Sequence, residues 1–559
     1  CSGSSPVGAS PIGRARSHAT ATSGGGFTVF PMMASIMATP DGQYLLSIDN
    51  GTQSIRAMVF DRDGELLAKS KVDIESYTSP APGLAEQDPE YFWSSLCKAC
   101  QLLWPMLDFP REEIRAVSVT TQRATVVPLG SDGQSLHPAI SWLDQRQVES
   151  KPRLGPLQKL VIAAIGARDA VARFHANAEA NWFAEQRPDI WEQLAKYLLL
   201  SGYHTHRLTG NYTDAVASQV GYIPFDFKHQ CWASPGDWKW RTLPLLAEML
   251  PELRPAGQSL GLICEAASRE TGIPAGIPLV ASGSDKACEV LGSGCLAGDV
   301  GSLSFGTTAT FNITTDKYLE VGRSHPPYPG VVPGTFNPEM AVQRGFWMVS
   351  WFKNEFGLRE QRLAEERGVT PESLFDDLLR AVPPGSEGLL LQPYWSAGAL
   401  PEGPEARGAI IGFSEVHTRA HIYRAIIEGI GYALREGKEA LEKRSGRVVE
   451  HLRVSGGGSQ SDEVMQITAD IFGMAVERPH TYETSGLGAA IAAAVGAGLY
   501  PDFGTAVRHM TRVRDSFSPV AANRRIYDHL YRDVYRKMYQ SLQPSYKAIQ
   551  AITSPECRA

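Results

Sequence analysis

The 559 residues carry 53 basic and 60 acidic side chains, a formal net charge of -7 with the two signs interspersed, so no basic stripe invites a nucleic-acid backbone or an anionic membrane. Hydrophobic residues make up 43% and charged residues 20%, ordinary globular usage that excludes a mostly disordered chain. A chain of this length outgrows one core, so two large domains and a small-molecule partner are expected.

Residues 1–40 contain no acid, carry Arg14 and Arg16, and are crowded with Ser, Gly, Ala and Pro. They read as a transit peptide, a disordered extension or upstream translation, with Met32, Met33 or Met37 as alternative starts. The cytoplasm is the expected location, replaced by a plastid or mitochondrion if the segment is a transit peptide. Ordered structure opens with a strand-like run, Tyr44 to Ile48, that ends in the turn Asp49-Asn50-Gly51-Thr52. Ile55 to Phe60 is a second strand, Asp61-Arg62-Asp63-Gly64 a second turn, and Glu65 to Lys69 the return, together an antiparallel meander.

Cys97 and Cys100 have redox-motif spacing, but they sit in an apolar helical pattern running from Tyr91-Phe92-Trp93 to Leu102-Leu103-Trp104, which favours buried helix packing. The eight cysteines, Cys1, Cys97, Cys100, Cys231, Cys264, Cys288, Cys295 and Cys557, are too scattered for a disulfide framework and suit a reducing compartment. Further on, the apolar strand Ile277 to Ala281 leads through Ser282-Gly283-Ser284 to Asp285. Leu291 to Gly298 marks a domain boundary. Beyond it, Ser302 to Phe305, Gly306-Thr307-Thr308 and Ala309 to Ile313 repeat the opening order of strand, Gly-Thr turn and strand, which predicts duplicated halves.

His421 to Arg435 reads as a helix with Ile422, Ala425, Ile426 and Ile430 on one face. His451 to Val454 is a strand before the turn Ser455-Gly456-Gly457-Gly458-Ser459, and Ser461 or Asp462 caps the helix that follows, with Val464, Ile467, Thr468, Ile471 and Phe472 on its inner face. The smoothest apolar run, Leu487 to Leu499, is too short to span a bilayer. Strands and helices mixed in both halves predict α/β domains.

Three glycine turns, each after an apolar strand, expose backbone N–H groups that suit a triphosphate. Thr52, Thr307 and Thr308 add hydroxyl donors, and Arg56 offers a positive fork for a transferring phosphoryl group. No Walker-type Gly-Lys-Ser/Thr run is present, and Gly486-Leu487-Gly488 fails as a dinucleotide fingerprint because Ile491 stands where Gly or Ala is wanted. Phosphoryl transfer to a hydroxyl also needs a magnesium anchor and a proton acceptor. Asp49 is placed for Mg2+ and Asp285 for the proton, with a turn cap and an Asx turn or helix cap as their plainer roles.

With these residues in place the chain resembles the FGGY carbohydrate kinases, among them glycerol kinase, xylulokinase and ribulokinase, from Tyr44 to about Gln543. Asp49-Asn50-Gly51-Thr52-Gln53-Ser54-Ile55-Arg56 is similar to the first phosphate loop, Ser304-Phe305-Gly306-Thr307-Thr308 to the second, and Ser455-Gly456-Gly457-Gly458 to the adenosine-side loop. Gly408 to Phe413, continued through His421 to Gly429, resembles the C-terminal signature. The resemblance implies two actin-like, ribonuclease H-like ATPase domains with an interdomain catalytic cleft: a sugar-binding domain over residues 41–296, a nucleotide domain over 297–545 and a tail over 546–559.

It further implies ATP and Mg2+, a small sugar or polyol as partner, and a homodimer as a compatible assembly. Asp285 takes the place of the catalytic base and, with Asp49, of a metal ligand. Asn50, Gly51, Thr52, Gln53, Ser54, Arg56, Gly306, Thr307, Thr308, Gly345, Gly456, Gly457, Gly458 and Asp462 fall in the ATP set. Gln122, Arg123, Trp142, Asp144, Asp285 and Lys286 fall in the acceptor set.

Ala124 stands where glycerol kinase has a glutamate, which disfavours glycerol and moves a ketose such as a pentulose ahead. Glu179-Ala180-Asn181-Trp182 lacks the Lys of the N-terminal signature, and Ser461-Asp462 replaces Asn residues beyond the adenosine loop, so adenine contacts are expected to differ. A non-catalytic ATP-binding sensor or chaperone-like ATPase on the same fold stays open as the alternative.

Overall fold

Side chains of a strand alternate between the two faces of its sheet, and the opening strands use both. Leu46 and Ile48, with Ile55, Ala57 and Val59, enter one apolar core, while Leu45, Met58 and Phe60 enter another on the opposite face. That double burial explains the near-continuous apolar runs. The computed structural model describes residues 43–553 apart from 165, 323–325, 396–402 and 404. The 1–40 extension, Cys1, Cys557 and the end of the tail lie outside the described residues.

Six strands form the first sheet: β1 (Tyr44–Asn50), β2 (Ser54–Phe60), β3 (Leu66–Asp73), β4 (Ile114–Thr121), β5 (Ser259–Leu262) and β6 (Pro278–Val280), in the order β5-β6-β4-β1-β2-β3. Six more form the second: β7 (Val300–Phe305), β8 (Ala309–Ile313), β9 (Glu339–Val342), β10 (His451–Ser455), β11 (Val476–Pro479) and β12 (Val513–Phe517), in the order β12-β11-β10-β7-β8-β9. The two sheets match pair by pair. In each, the first three strands are an antiparallel meander, the next two join in parallel and the edge strand is antiparallel. The repeated strand, Gly-Thr turn and strand therefore mark two copies of one α/β unit, as the sequence predicts.

Seven helices matter for the site: α1 (Pro89–Leu103), α2 (Leu200–Thr209), α3 (Asp285–Gly292), α4 (Trp347–Phe356), α5 (Arg419–Ser445), α6 (Asp462–Phe472) and α7 (Thr484–Gly496). α1 starts where the Asp88 side chain accepts from the Glu90 N–H ahead of Pro89, and it covers the outer face of the first sheet with Phe92, Trp93, Leu96 and Leu103. Cys97 and Cys100 are part of this packing. Burial pushes the Cys97 thiol up to about 12 and raises Cys100 as well, so both stay protonated and the redox reading gives way to the packing one. α5 runs on past Arg435 to Ser445, where Gly446 ends it in the left-handed conformation.

The Gly- and Ala-rich run is α7, buried from Gly486 to Ala494 between the first sheet and α3. Small residues are required there because the helices touch backbone to backbone. A Cβ on Gly488 would lie 1.9 Å from the Cys288 carbonyl oxygen, and one on Gly292 would lie 2.0 Å from that of Thr484. Gly488→Ala gains helix propensity but must push two backbones apart, so overpacking wins and the fold loses about 2 to 3 kcal/mol. A melting temperature equal to wild type in thermal unfolding would refute that reading. Among the described residues no helix is long and apolar enough to cross a membrane.

Candidate active site

Register places the first charged pair. Asp49 of β1 stands opposite Arg56 of β2, on the face that Leu45, Met58 and Phe60 turn toward α7. A one-residue slip would send both charges to the other core. Arg56 Nη1 donates to Asp49 Oδ2 at 3.0 Å, and its Nε lies 3.6 Å from Glu483, the residue just before α7. Glu483 also accepts from Lys69 Nζ at 2.9 Å. Asp49 is 4% exposed, and its Oδ1 has no hydrogen-bond partner among the described residues. Burial pushes this carboxyl up to about 7, against the pull of Arg56 and with the charges of Asp285 and Glu483 adding to the rise.

Asp285 opens α3. Ser284, rather than Asp285, caps that helix, accepting from the Ala287 N–H, which frees the Asp285 carboxyl for the cleft. It is half-buried and accepts from the Lys286 N–H at 2.7 Å. Burial raises its pKa, while the charges of Arg123 and Lys286 pull it back. Its charge is felt at Asp49, so the two carboxylates share one neighbourhood.

The second sheet meets this neighbourhood with a polar face. Leu303, Phe305, Phe311, Met340 and Val342 enter the apolar core of the second half, so alternation turns Ser304, Thr310, Asn312, Glu339 and Ser455 the other way, toward α3. Lys286 Nζ donates to Ser304 Oγ and to Glu289, both at 2.7 Å, and Ser455 Oγ donates to Glu289 at 2.6 Å. Lys286 thus uses one donor within α3 and one on the second sheet, while Ser455 ties Glu289 of α3 to β10.

The glycine turns after β7 and β10 touch one another. Gly456 has φ +80°, open to glycine at little cost, and a Cβ there would come within 2.9 Å of the Phe305 carbonyl group. Gly345, before α4, lies so close to Ala309 that a Cβ would meet its amide nitrogen at 2.4 Å. The Phe346 N–H donates to Gly306 O at 3.0 Å, and the Phe346 ring stacks on Phe305 at 4.7 Å beneath Gly458. A side chain at Gly457, in contrast, would meet nothing within 4 Å, and Thr307, in the turn after β7, is exposed. This open, backbone-lined cradle fits a polyphosphate. The buried, unpartnered Asp49 Oδ1 with Asp285 nearby fits Mg2+, which takes one or two carboxylates and leaves the rest of its shell to phosphate and water.

Other expected residues are placed less directly. Asn50 turns inward, its Oδ1 2.8 Å from His204 Nε2 of α2 and its amide donating to Gly51 O, so its side chain holds the loop rather than a phosphate. Burial pushes His204 down to about 3, which keeps that ring neutral. Ser54 is buried at the start of β2, Gln53 is exposed with its carbonyl accepting from Ile74, and Thr308 donates to Gln343 O. Asp462 is exposed at the start of α6 and paired with Arg478 at 2.7 Å.

On the acceptor side, Trp142 is 39% exposed and donates to Thr52 Oγ1 at 3.1 Å, while both amide atoms of Gln122 are buried without partners among the described residues. Asp144 is a correction. Its two oxygens accept from the Ala85 N–H, the Arg146 N–H and two Arg146 guanidinium nitrogens, which fills its lone pairs inside the fold. Its spacing to Arg146, two residues on, serves this internal pair.

Arg123 reaches across to the second half. Its Nη2 donates to Glu339 at 3.0 Å and its guanidinium lies 4.8 Å from the Tyr328 ring centre. Burial works against its charge, but Glu339, Tyr328 and Asp285 more than offset that and raise its pKa. Glu339, Tyr328, Glu289 and Glu483 were not anticipated from the sequence. For Glu339 a signal exists, since Glu339-Met340-Ala341-Val342 alternates with the acid at a non-core position.

Residues 44–292 match the N-terminal domain of the FGGY family of carbohydrate kinases, and residues 301–497 match its C-terminal domain. The chain belongs to that family. It is a carbohydrate kinase with the two-domain actin-like ATPase fold, using ATP to phosphorylate a small sugar, and the sensor alternative gives way. It is 30% identical over 497 residues to the uncharacterized sugar kinase YgcE of Escherichia coli K12, covering 89% of this chain and 93% of that protein. It is 27% identical over 505 residues to the xylulose kinase of Lactococcus lactis, covering 89% and 97%. A xylulose kinase from Lactobacillus acidophilus has the same fold, with a TM-score of 0.76 at 21% identity over 90% of this kinase and 99% of that chain.

Proposed function

We propose that this kinase transfers the γ-phosphoryl group of ATP to a hydroxyl of a ketose such as a pentulose, ahead of glycerol, with Asp285 as general base. The half-buried Asp285 carboxylate, felt at once by Asp49 of the first loop and by Arg123 of the acceptor side, carries this assignment. As the acceptor oxygen bonds to the γ-phosphorus, the bond from that phosphorus to the β,γ-bridging oxygen breaks and the hydroxyl proton passes to Asp285, leaving ADP and a sugar phosphate.

Residues 41–296 supply the acceptor side and 297–545 most of the nucleotide side. Gly306, Thr307 and the Gly456–Gly458 turn cradle the phosphates with backbone N–H groups and a hydroxyl, Gln122 and Arg123 orient the acceptor, and Trp142 forms its wall. Asp49, with Asp285, would hold Mg2+, which would supply positive charge to the phosphate oxygens. Closure of the two halves keeps water from competing with the acceptor.

The family relatives named xylulose kinase support a ketose, and so does Ala124, which withholds a carboxylate from glycerol. ADP release across ketoses and polyols tests this. A ketulose is expected to exceed glycerol by about tenfold or more in kcat/KM, the worth of one polar partner. Equal or better use of glycerol would overturn the preference.

A further inference from the structure

The acid absent at position 124 has a counterpart on the opposite wall. Glu339 opens β9, and alternation along that strand puts its carboxylate on the polar face that the second sheet turns toward α3. Its Oε1 accepts from Arg123 at 3.0 Å, while its Oε2 is buried and has no hydrogen-bond partner among the described residues. Gln122, the residue before Arg123, has a buried amide with neither atom paired among the described residues. The Glu339 charge is also felt at Lys286, the neighbour of Asp285.

The unpaired buried atoms of Glu339 and of Gln122, the chain neighbour of Arg123, need partners that the described residues do not supply. A carboxylate oxygen accepts hydrogen bonds and repels another carboxylate, whereas an amide pairs with hydroxyls in either sense. Resting on the kinase reading above, we propose that Glu339 is a specificity-determining residue that accepts a hydroxyl of the acceptor across the cleft and selects neutral polyhydroxylated acceptors over sugar acids. Arg123, held by Glu339 and stacked by Tyr328, is thereby kept from serving as a carboxylate receptor.

Steady-state kinetics of wild type, Glu339→Gln and Glu339→Ala with a neutral ketose, its deoxy analogues and an aldonic acid tests the assignment, with thermal unfolding and the KM for ATP reporting the integrity of the fold. Glu339→Gln keeps shape and volume, so it answers the question even if the alanine variant fails to fold. The expected result is a KM for the neutral acceptor raised about tenfold or more, a KM for ATP within about twofold of wild type, a smaller penalty for one deoxy analogue, and a narrowed preference over the acid. A neutral acceptor whose KM and preference are unchanged in Glu339→Gln, or a wild type that favours the aldonic acid, overturns the role of Glu339 and leaves the kinase reading standing. A wild type that phosphorylates none of these acceptors removes the reading of the acceptor site itself, and this inference with it.

Discussion

Asp285→Asn lowers kcat by about a hundredfold or more, the usual scale for loss of a general base, and leaves the KM for ATP within about twofold. The asparagine retains the shape and can still accept from the Lys286 N–H that orients the carboxyl at 2.7 Å, so the start of α3 and its Ser284 cap stay in place. What disappears is a basic oxygen. Burial strengthens that basicity by disfavouring the ion, while Arg123 and Lys286 keep the ion accessible, a balance suited to taking a proton from a hydroxyl. Asp49 remains to hold Mg2+, relieved of the Asp285 repulsion, and the glycine turns are untouched, so nucleotide binding stays close to wild type. Rapid-quench measurement of the first turnover separates the chemical step from product release. A variant with a wild-type rate for that step would remove Asp285 from the role of base.

Much of this was legible in the sequence because local chemistry and tertiary structure agree. The strand, Gly-Thr turn and strand order around Gly51 and Gly306 predicts both halves of the sheet topology, since the turn residues and period-2 apolar pattern define a meander without help from distant segments. The cap of α6 by Ser461 is equally local. Pairings made across long separations stayed hidden. Arg123 and Glu339 are 216 residues apart, and nothing near either one names the other. Glu483 meets Lys69 across 414 residues for the same reason. Asp144 shows the opposite error, a residue expected in the acceptor set whose oxygens are taken up internally by Arg146 and the Ala85 N–H. Asn50 is similar, since only the fold brings His204 of α2 against it.

Asp49 makes the second large effect, a loss of Mg2+ affinity in acid. Its carboxyl is raised from 3.8 to about 7, chiefly by burial, so below pH 7 the folded protein holds it protonated and the metal must displace that proton. On the proposed assignment the apparent affinity for Mg2+ falls about tenfold for each pH unit below 7 and levels off above it. Because the folded value lies above the unfolded one, ionising Asp49 also costs stability as pH rises from about 4 through 7, and bound Mg2+ offsets that cost. Asp49→Asn keeps an oxygen for Arg56 but carries no titrating charge, so it lowers kcat at saturating ATP by about a hundredfold or more and abolishes the pH slope of the Mg2+ requirement. Titrations of ADP release with Mg2+ at several pH values, run on both proteins, give the comparison. Asp285 titrates in both, so a slope that persists unchanged in Asp49→Asn assigns the proton to Asp285 and takes the metal away from Asp49.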